Sequence, residues 1–381
     1  MISVSTVNDV LKTFYLDVLI SQLNGAASPL YKKFKTVETF VSGREIVKPV
    51  CAELSSGVAA LDEYEDLPTA ESNKYTVLHS QLKNLYGTIQ ITDKAMRIGE
   101  NTEGAVVNLL NAEMEGLIAS AKQNFSRMLY GDGSATVAHV TQAASESTSV
   151  KVNNTRFIKP GMGLTFTSGD TTVTGTVASV GTDTVVLSAA VSIANGASVQ
   201  ITNLIGKEIE GIETIFNDPA TLYGVTTSGK AWMKPYTGTS TGDISDIKIQ
   251  RAIDTAEEAS GGKIDFITCS YGVRRAYQNY LETTKRTINP VELEGGYKTI
   301  SYAGIPVVAD RFCPENTMYL LDSTLFELHQ LCDWSWLEGD NGNVLKQMPG
   351  KAAYSATLVK YANLICSLPC GQAKLSGVTE K

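Results

Sequence analysis

Between Thr92 and Gly133 apolar residues recur every three or four positions, and Val106, Leu110, Met114, Leu117, Ala121, Phe125 and Met128 fall on one face over about seven turns. The spacing predicts one long helix. Glu100 and Glu103 stand in its first turns and Arg127 in its last, and Gly131 is placed to stop it in a left-handed cap. The same period runs through Val7, Val10, Leu11, Phe14 and Val18, with Thr6 and Asp9 placed for a capping box and Asn24-Gly25 as the stop. Thr6–Leu23 is therefore expected to be an amphipathic terminal helix. Its polar face carries no basic cluster, so it should pack on protein and not on a membrane.

Residues 37–50 and 75–91 are rich in Val, Ile, Tyr, Phe and Thr and read as two strands. Between them, Glu53 to Glu71 holds six acidic residues and no Lys or Arg, which predicts a projecting hairpin with an acidic tip. Such a loop is either a solvated face or a docking element for a neighbouring subunit.

From Val137 to Thr202 Thr, Ser, Val, Ala and Gly dominate and short alternating segments replace the helical period. Val150, Val152, Ile158, Gly161, Leu164 and Phe166 recur 35 residues later as Val185, Leu187, Ile193, Gly196, Val199 and Ile201. Two such units fit a small closed barrel or a sandwich.

Mixed α/β patterning follows. Ser245–Ala259 reads as a helix stopped by Gly261-Gly262, Ile264–Cys269 as a buried strand, and Ser270 as the cap of a helix carrying Val273, Tyr277 and Leu281 on one face. Thr284–Gly296 reads as flexible, and Tyr297–Ala309 as a strand pair turning at Ala303-Gly304. Met318–Leu321, Leu325–Leu328 and Ala353–Leu368 supply further strands, and Gly371–Lys381 reads as a plain tail.

Composition narrows the function classes. In 381 residues, 43% apolar and 19% charged residues describe a globular chain long enough for two or three cores. No 18-residue apolar stretch and no basic-then-apolar leader occurs, so a soluble, cytoplasmically made protein is expected. A formal charge of -8 disfavours close contact with nucleic acid, which needs a concentrated Lys/Arg surface. The six cysteines lack any Cys-x-x-Cys pair, so zinc is not expected and reduced thiols are. Cys366 and Cys370, on one face of an extended strand, would stand roughly 13 Å apart, too far for a disulfide.

His79, His139 and His329 read as isolated surface or interface residues, and Trp334 and Trp336 as packing anchors or interface residues. No nucleophile-elbow, phosphate-loop or zinc-protease motif is present, and Gly161-Met162-Gly163 reads as a turn. No cofactor, metal or catalytic site is expected.

The order of parts resembles the HK97-fold major capsid proteins of tailed bacteriophages: an amphipathic arm, a long two-stranded loop, a spine helix ending Tyr130-Gly131-Asp132-Gly133, a central α/β region and terminal strands. Ile267–Leu281 is similar to the family's strand-then-helix pattern. Tyr302-Ala303-Gly304-Ile305-Pro306-Val307-Val308-Ala309-Asp310 with Met318–Asp322 is similar to its strand pair and the strand after it.

The resemblance implies an α+β, HK97-like capsid fold with an N-terminal arm at 1–36, an E-loop at 37–91 and a spine helix of the peripheral domain at 92–133. An inserted small all-β domain would occupy 134–204, the axial domain and its connections 205–312, and C-terminal strands of the peripheral and axial core 313–381. It further implies a structural protein, not an enzyme, that self-assembles as pentamers and hexamers into the icosahedral head of a virion. That head would form in the host cytoplasm and enclose double-stranded DNA without sequence-specific binding or membrane. A separate scaffold protein and a portal protein are the expected partners, with room for a decoration protein.

Subunit-interface candidates are Val7, Leu11, Phe14 and Val18 of the arm, and the tip acids Asp62, Glu63, Glu65 and Asp66 against Lys122 and Arg127 of the spine helix of a neighbour. Some family members cross-link an E-loop lysine; here Lys48, Lys74 and Lys83 are present, but no local motif marks one as reactive, and no cross-link is expected. The rival readings are an encapsulin-type compartment and, more remotely, an enzyme using dispersed acids such as Asp265 and Glu282.

Overall fold

The computed structural model describes residues 28–38, 41–42, 45–55, 57–69, 71–94, 105–284, 290–292, 298–338 and 344–381. The expected terminal helix Thr6–Leu23, Glu100, Glu103 and most of Thr284–Gly296 lie outside these residues. Two compact units form: one from the segments before Met128 and after Thr214, the other from Met128–Thr214.

The first unit begins with β1 (Lys35–Val37), β2 (Val41–Ser42), β3 (Glu45–Glu53), β4 (Lys74–Gln81) and β5 (Lys83–Thr92). β2, β3 and β4 form an antiparallel sheet in which β3 and β4 pair from Glu45↔Gln81 out to Glu53↔Lys74, and this ladder is the expected hairpin. The segment 75–91, expected as one strand, is instead two strands in different sheets. The change is written in the alternation: Leu78 and Ser80 are buried on β4, but Leu85, Ile89 and Ile91 on β5, so the inward parity flips near Leu82.

Helix α1 (Ala105–Leu129) is the expected spine, ending just before Gly131, the glycine cap the sequence suggests. Gly131 is not left-handed; its N–H closes a tight turn on the Met128 carbonyl at 3.0 Å, and Gly133 is the glycine with φ of 81°. β5 approaches α1 at Gly87, where a Cβ would stand 2.7 Å from Leu117 Cδ1, so any larger residue there needs the Leu117 side chain to shift.

The second unit contains β6 (Thr136–Gln142), β7 (Ala144–Val152), β8 (Gly163–Ser168), β9 (Thr171–Val180), β10 (Thr184–Ile193) and β11 (Ser198–Ile201), closed into a barrel in the order β10-β7-β6-β11-β8-β9. The apolar members of the 35-residue repeat all line its core, and the repeated glycines Gly161 and Gly196 have φ of 86° and 80°. Equivalent residues face each other, Val185 on Val150 and Gln200 on Thr165. That self-pairing is the mark of a pseudo-two-fold axis through both strand pairs.

The symmetry extends to β6 and β9, which the sequence repeat does not reveal. Gly161 N donates to Val177 O and Gly196 N to Val140 O, both at 2.8 Å. Val177 N to Met162 O and Val140 N to Ala197 O match at 2.9 Å. Val140 and Val177 are 37 residues apart, so two extra residues hide the third strand of the repeat from a fixed-offset comparison.

Back in the first unit follow the small hairpin β12 (Thr221–Leu222) and β13 (Val225–Thr226), then β14 (Tyr236–Gly238), α2 (Asp246–Ser260), β15 (Phe266–Cys269) and α3 (Tyr271–Thr284). Gly261 caps α2 with φ of 66°, and Ser270 Oγ accepts from Val273 N at 3.3 Å at the start of α3. Then come β16 (Pro290–Glu292), β17 (Lys298–Tyr302), β18 (Ile305–Ala309), β19 (Thr317–Leu321), β20 (Phe326–Trp336), β21 (Lys346–Gln347), β22 (Ala353–Cys366) and β23 (Ala373–Ser376). β17 and β18 turn at Ala303 and Gly304, with φ of 48° and 85°.

Seven strands form a mixed sheet in the order β14-β23-β19-β15-β18-β17-β16. α2 and α3 set Ile249, Ile253, Val273, Tyr277 and Leu281 against Ile267, Val307, Met318 and Leu320 of this sheet. A second sheet runs β1-β20-β22-β21, with β5 also paired to β22.

The plain tail does not stand. β23 is an interior strand between β14 and β19, Leu375 and Val378 are buried, and Glu380 accepts hydrogen bonds from Ser270 Oγ and Asn316 N. The strand expected at Leu325–Leu328 extends to Trp336, because two bulges break its alternation after Gln330. Cys370 sits in a turn beyond the end of β22, not on a strand with Cys366. All six cysteines are free thiols, and His329 is fully buried, not at the surface.

Candidate assembly surface

The β3–β4 hairpin has two unlike faces. Ile46, Leu78 and Ser80 turn inward and are buried, whereas Pro49 and Cys51 on β3 and their register partners Val77 and Tyr75 on β4 are exposed.

Its root is held by polar contacts. Lys48 Nζ reaches Glu327 Oε2 and Ser367 Oγ, each at 2.6 Å; Asn363 Nδ2 donates to Ser80 Oγ at 2.9 Å; and His79 N donates to Tyr223 O, on the β12–β13 hairpin, at 2.9 Å. His329 Nε2 lies 3.1 Å from the same Glu327 oxygen. Burial pushes the Glu327 carboxyl up, but Lys48, His329 and Lys35 together outweigh it and hold the group below its ordinary value.

The tip is clasped at its neck. Lys74 pairs with Glu53 at 2.6 Å, Ser55 N donates to Asn73 Oδ1 at 2.7 Å, and Ser55 Oγ donates to Glu71 O at 2.6 Å. A turn at Asp62–Glu65 shapes the far end, where Asp62 N donates to Glu65 Oε2. Asp62, Glu63, Glu65 and Asp66 are all exposed there, as are five large apolar side chains, including Val58 at 90% and Tyr64 at 98% exposure.

Of the 13 exposed large apolar side chains among the described residues, seven lie between Leu54 and Val77, so the hairpin is where the molecule shows apolar surface. Sequence reasoning saw the acids and missed the apolar residues. Leu54, Val58, Leu61, Tyr64 and Leu67 recur every three or four positions, but the run lies in a loop and not in a helix, so that spacing builds no buried face.

Val7, Leu11, Phe14 and Val18 fall outside the described residues. On α1, Lys122 is half-buried and Arg127 only 6% exposed. Arg127 is thus no surface acceptor for a neighbour's acids. The chain at Ser28 meets this turn of the helix, Ser28 N donating to Ser126 Oγ at 3.2 Å, and Phe125, Ser126 and Arg127 are all buried.

Beneath α1 a second buried cation, Lys360, stands 5.7 Å from the Phe125 ring centre and 5.8 Å from that of Trp334, with Asp333 at 2.6 Å and Gln330 at 2.8 Å. Burial draws its pKa down against the pull of Asp333. Both tryptophans are buried, so they serve packing.

The dispersed acids are used locally: Asp265 accepts from Ser323 N and Oγ, both at 2.7 Å, and Glu282 accepts from Gln278 Nε2 along α3. Among the described residues no three His, Cys, Asp or Glu side chains gather as a metal site, and no helix is long and apolar enough to cross a membrane.

A spine helix lying on one sheet, a second sheet backed by two helices and a long projecting hairpin define the HK97-like capsid fold. Among solved structures, a chain of the cyanophage A-1(L) capsid asymmetric unit matches with a TM-score of 0.58 at 10% identity, over 91% of each chain. The capsid of an empty GTA particle matches with a TM-score of 0.49 at 9% identity, over 92% of this chain and 89% of that one. The holo-SrpI encapsulin complex of Synechococcus elongatus PCC 7942 matches with a TM-score of 0.47 at 11% identity, over 93% and 89%. No family model matches the sequence, and no curated protein matches it.

Proposed function

We propose that this chain is the subunit of a self-assembling icosahedral shell, the head of a tailed phage enclosing double-stranded DNA. The observation that carries the reading is the projecting hairpin: a clasped tip with five exposed apolar side chains on an HK97-like body. A monomer gains nothing from such a surface, whereas a neighbour that covers it gains roughly 25 cal/mol per Å² of apolar area. Repetition under rotational symmetry sums many weak contacts into a stable wall.

The sheet and helices of Ser245–Asp310 form the proposed centre of pentamers and hexamers. A separate scaffold protein guides curvature, and a portal occupies one vertex. The chain acts without cofactor or catalysis, and a charge of -8 suits a wall that holds DNA without gripping it.

Electron microscopy of the purified protein, with and without a scaffold protein, tests the reading. Closed icosahedral particles carrying nuclease-protected DNA are expected from infected cells. Shells filled with protein and free of DNA would replace the phage head by an encapsulin-type compartment, and protein that stays monomeric at high concentration would overturn both.

A further inference from the structure

At the root of the hairpin lies a patch of opposite charge. Lys32, Lys33 and Lys35 are exposed within four residues, with Glu38, which bonds Gln330, and Glu327, which Lys48 already pairs, as the acids beside them. Lys35 stands in register with Glu327, the residue that anchors Lys48, so the patch adjoins the hairpin's own base. Neither these lysines nor Asp62, Glu63, Glu65 and Asp66 make an ion pair among the described residues. Lys33 places its ammonium 5.6 Å from the centre of the buried Phe266 ring, so the apolar surface the patch offers is that of the lysine stems.

A chain cannot bring its own tip to this patch. The paired ladder from Lys48 to Glu53 is stiff and about 17 Å long at roughly 3.4 Å per residue, and the tip loop lies beyond it. Tip and patch are opposite ends of one lever.

Building on the shell reading, we propose that the apolar, acidic tip of one copy docks on the Lys32, Lys33 and Lys35 patch of a second copy, at the root of that copy's hairpin. Four tip acids face three lysines, and Leu61, Tyr64 and Leu67 give the contact its apolar area. Nucleic acid is the lesser candidate for the patch, because three cations in a chain of charge -8 make a weak phosphate surface and leave the tip's apolar residues uncovered. Each chain offers one tip and one acceptor, so the contact is head-to-tail and propagates around a ring.

The test mixes full-length chains of natural and heavy nitrogen isotope, joins amines to carboxylates with a water-soluble carbodiimide, and reads the linked peptides by mass spectrometry. Mixed-isotope links from Lys32, Lys33 or Lys35 to the acids of 62–66 are expected. The triple variant Lys32→Glu, Lys33→Glu, Lys35→Glu has no amine at these positions, gives none of these links and sets the zero of the measurement. Reversing Asp62, Glu63, Glu65 and Asp66 to Lys in that variant should restore them with amine and carboxylate exchanged. Circular dichroism checks that the variants stay folded.

Links confined to one isotope, links from the tip to other lysines, or no links overturn the proposal, as does loss of duplex-DNA binding in the triple variant without any tip link. Electron microscopy of the same sample separates the two readings. Shells lacking the link sink this contact and keep the shell; the link without shells keeps the contact and sinks the shell.

Discussion

Lys48 and Glu327 meet with side chains only 12% and 17% exposed, and a half-desolvated pair of this kind depends on both partners. Because Glu327 is held below its ordinary carboxyl value in the fold, it contributes stability above the unfolded-state value, and that contribution is lost as pH falls through the folded one. Glu327→Gln should therefore lower stability by about 1–3 kcal/mol at neutral pH and flatten the acid limb of the unfolding curve, as urea titrations between pH 3 and 7 would read. An unchanged acid limb would mean that other carboxylates carry the acid loss.

Gly87 makes a second local prediction. Adding a Cβ puts it 2.7 Å from Leu117 Cδ1, so Gly87→Ala should cost about 1–3 kcal/mol, and pairing it with Leu117→Ala should cost less than the sum of the two changes. Thermal melts of the four proteins measure this, and simple additivity would show that α1 and β5 adjust independently. Nothing in the sequence singles out Gly87, since its reason is a helix that crosses thirty residues further on.

At the level of elements, legibility followed periodicity. α1, α2 and α3 were readable because a 3.6-residue period over fourteen or more residues outweighs local noise, and the β17–β18 turn because Gly304 admits the left-handed backbone that a tight hairpin needs. β23 was not, because four residues flanked by glycines carry too little alternation to be told from a tail, yet it lies mid-sheet. Ending the chain at Gln372 should thus leave β14 and β19 without their shared partner, strip out Leu375 and Val378, each worth roughly 1.5–3 kcal/mol when buried, and give insoluble protein. A soluble truncated chain with the parent melting temperature would return the segment to a tail.

The barrel makes the opposite prediction. Its entry and exit run side by side, Ile201 N donating to Ala135 O and Gly206 N to Gly133 O, both at 3.1 Å. Replacing Val137–Thr202 by a short Gly/Ser linker should leave soluble protein with the first unit's melting transition intact. Loss of that transition would show that the barrel supports the rest of the chain.

For the whole molecule, the sequence disclosed the class of fold through the order of its parts and placed the acids of the tip, but it could not show which cations are accessible. Arg127 looked like a surface charge at a helix end and is buried, next to Ser126, which the chain reaches from Ser28 in a contact between residues 98 positions apart. Nor could it show that the tip's apolar residues stay uncovered, since exposure depends on everything that fails to pack there. Changing Val58, Leu61, Tyr64 and Leu67 together to Ser should leave the monomer's stability within about 0.5 kcal/mol while blocking particle formation, as melting curves and light scattering would show. Particles from this variant at the normal yield would remove the tip from assembly.

The pseudo-two-fold of the barrel also bears on descent. Two strand triplets whose equivalent residues Val150 and Val185 sit opposite each other are the pattern that tandem duplication of a single three-stranded ancestor would leave. Such an ancestor would have closed its barrel only by pairing with a second copy, at a rate and stability set by concentration. In this chain the two triplets are joined covalently, so the closure of a short tether stands in place of that encounter and one fold in place of an association.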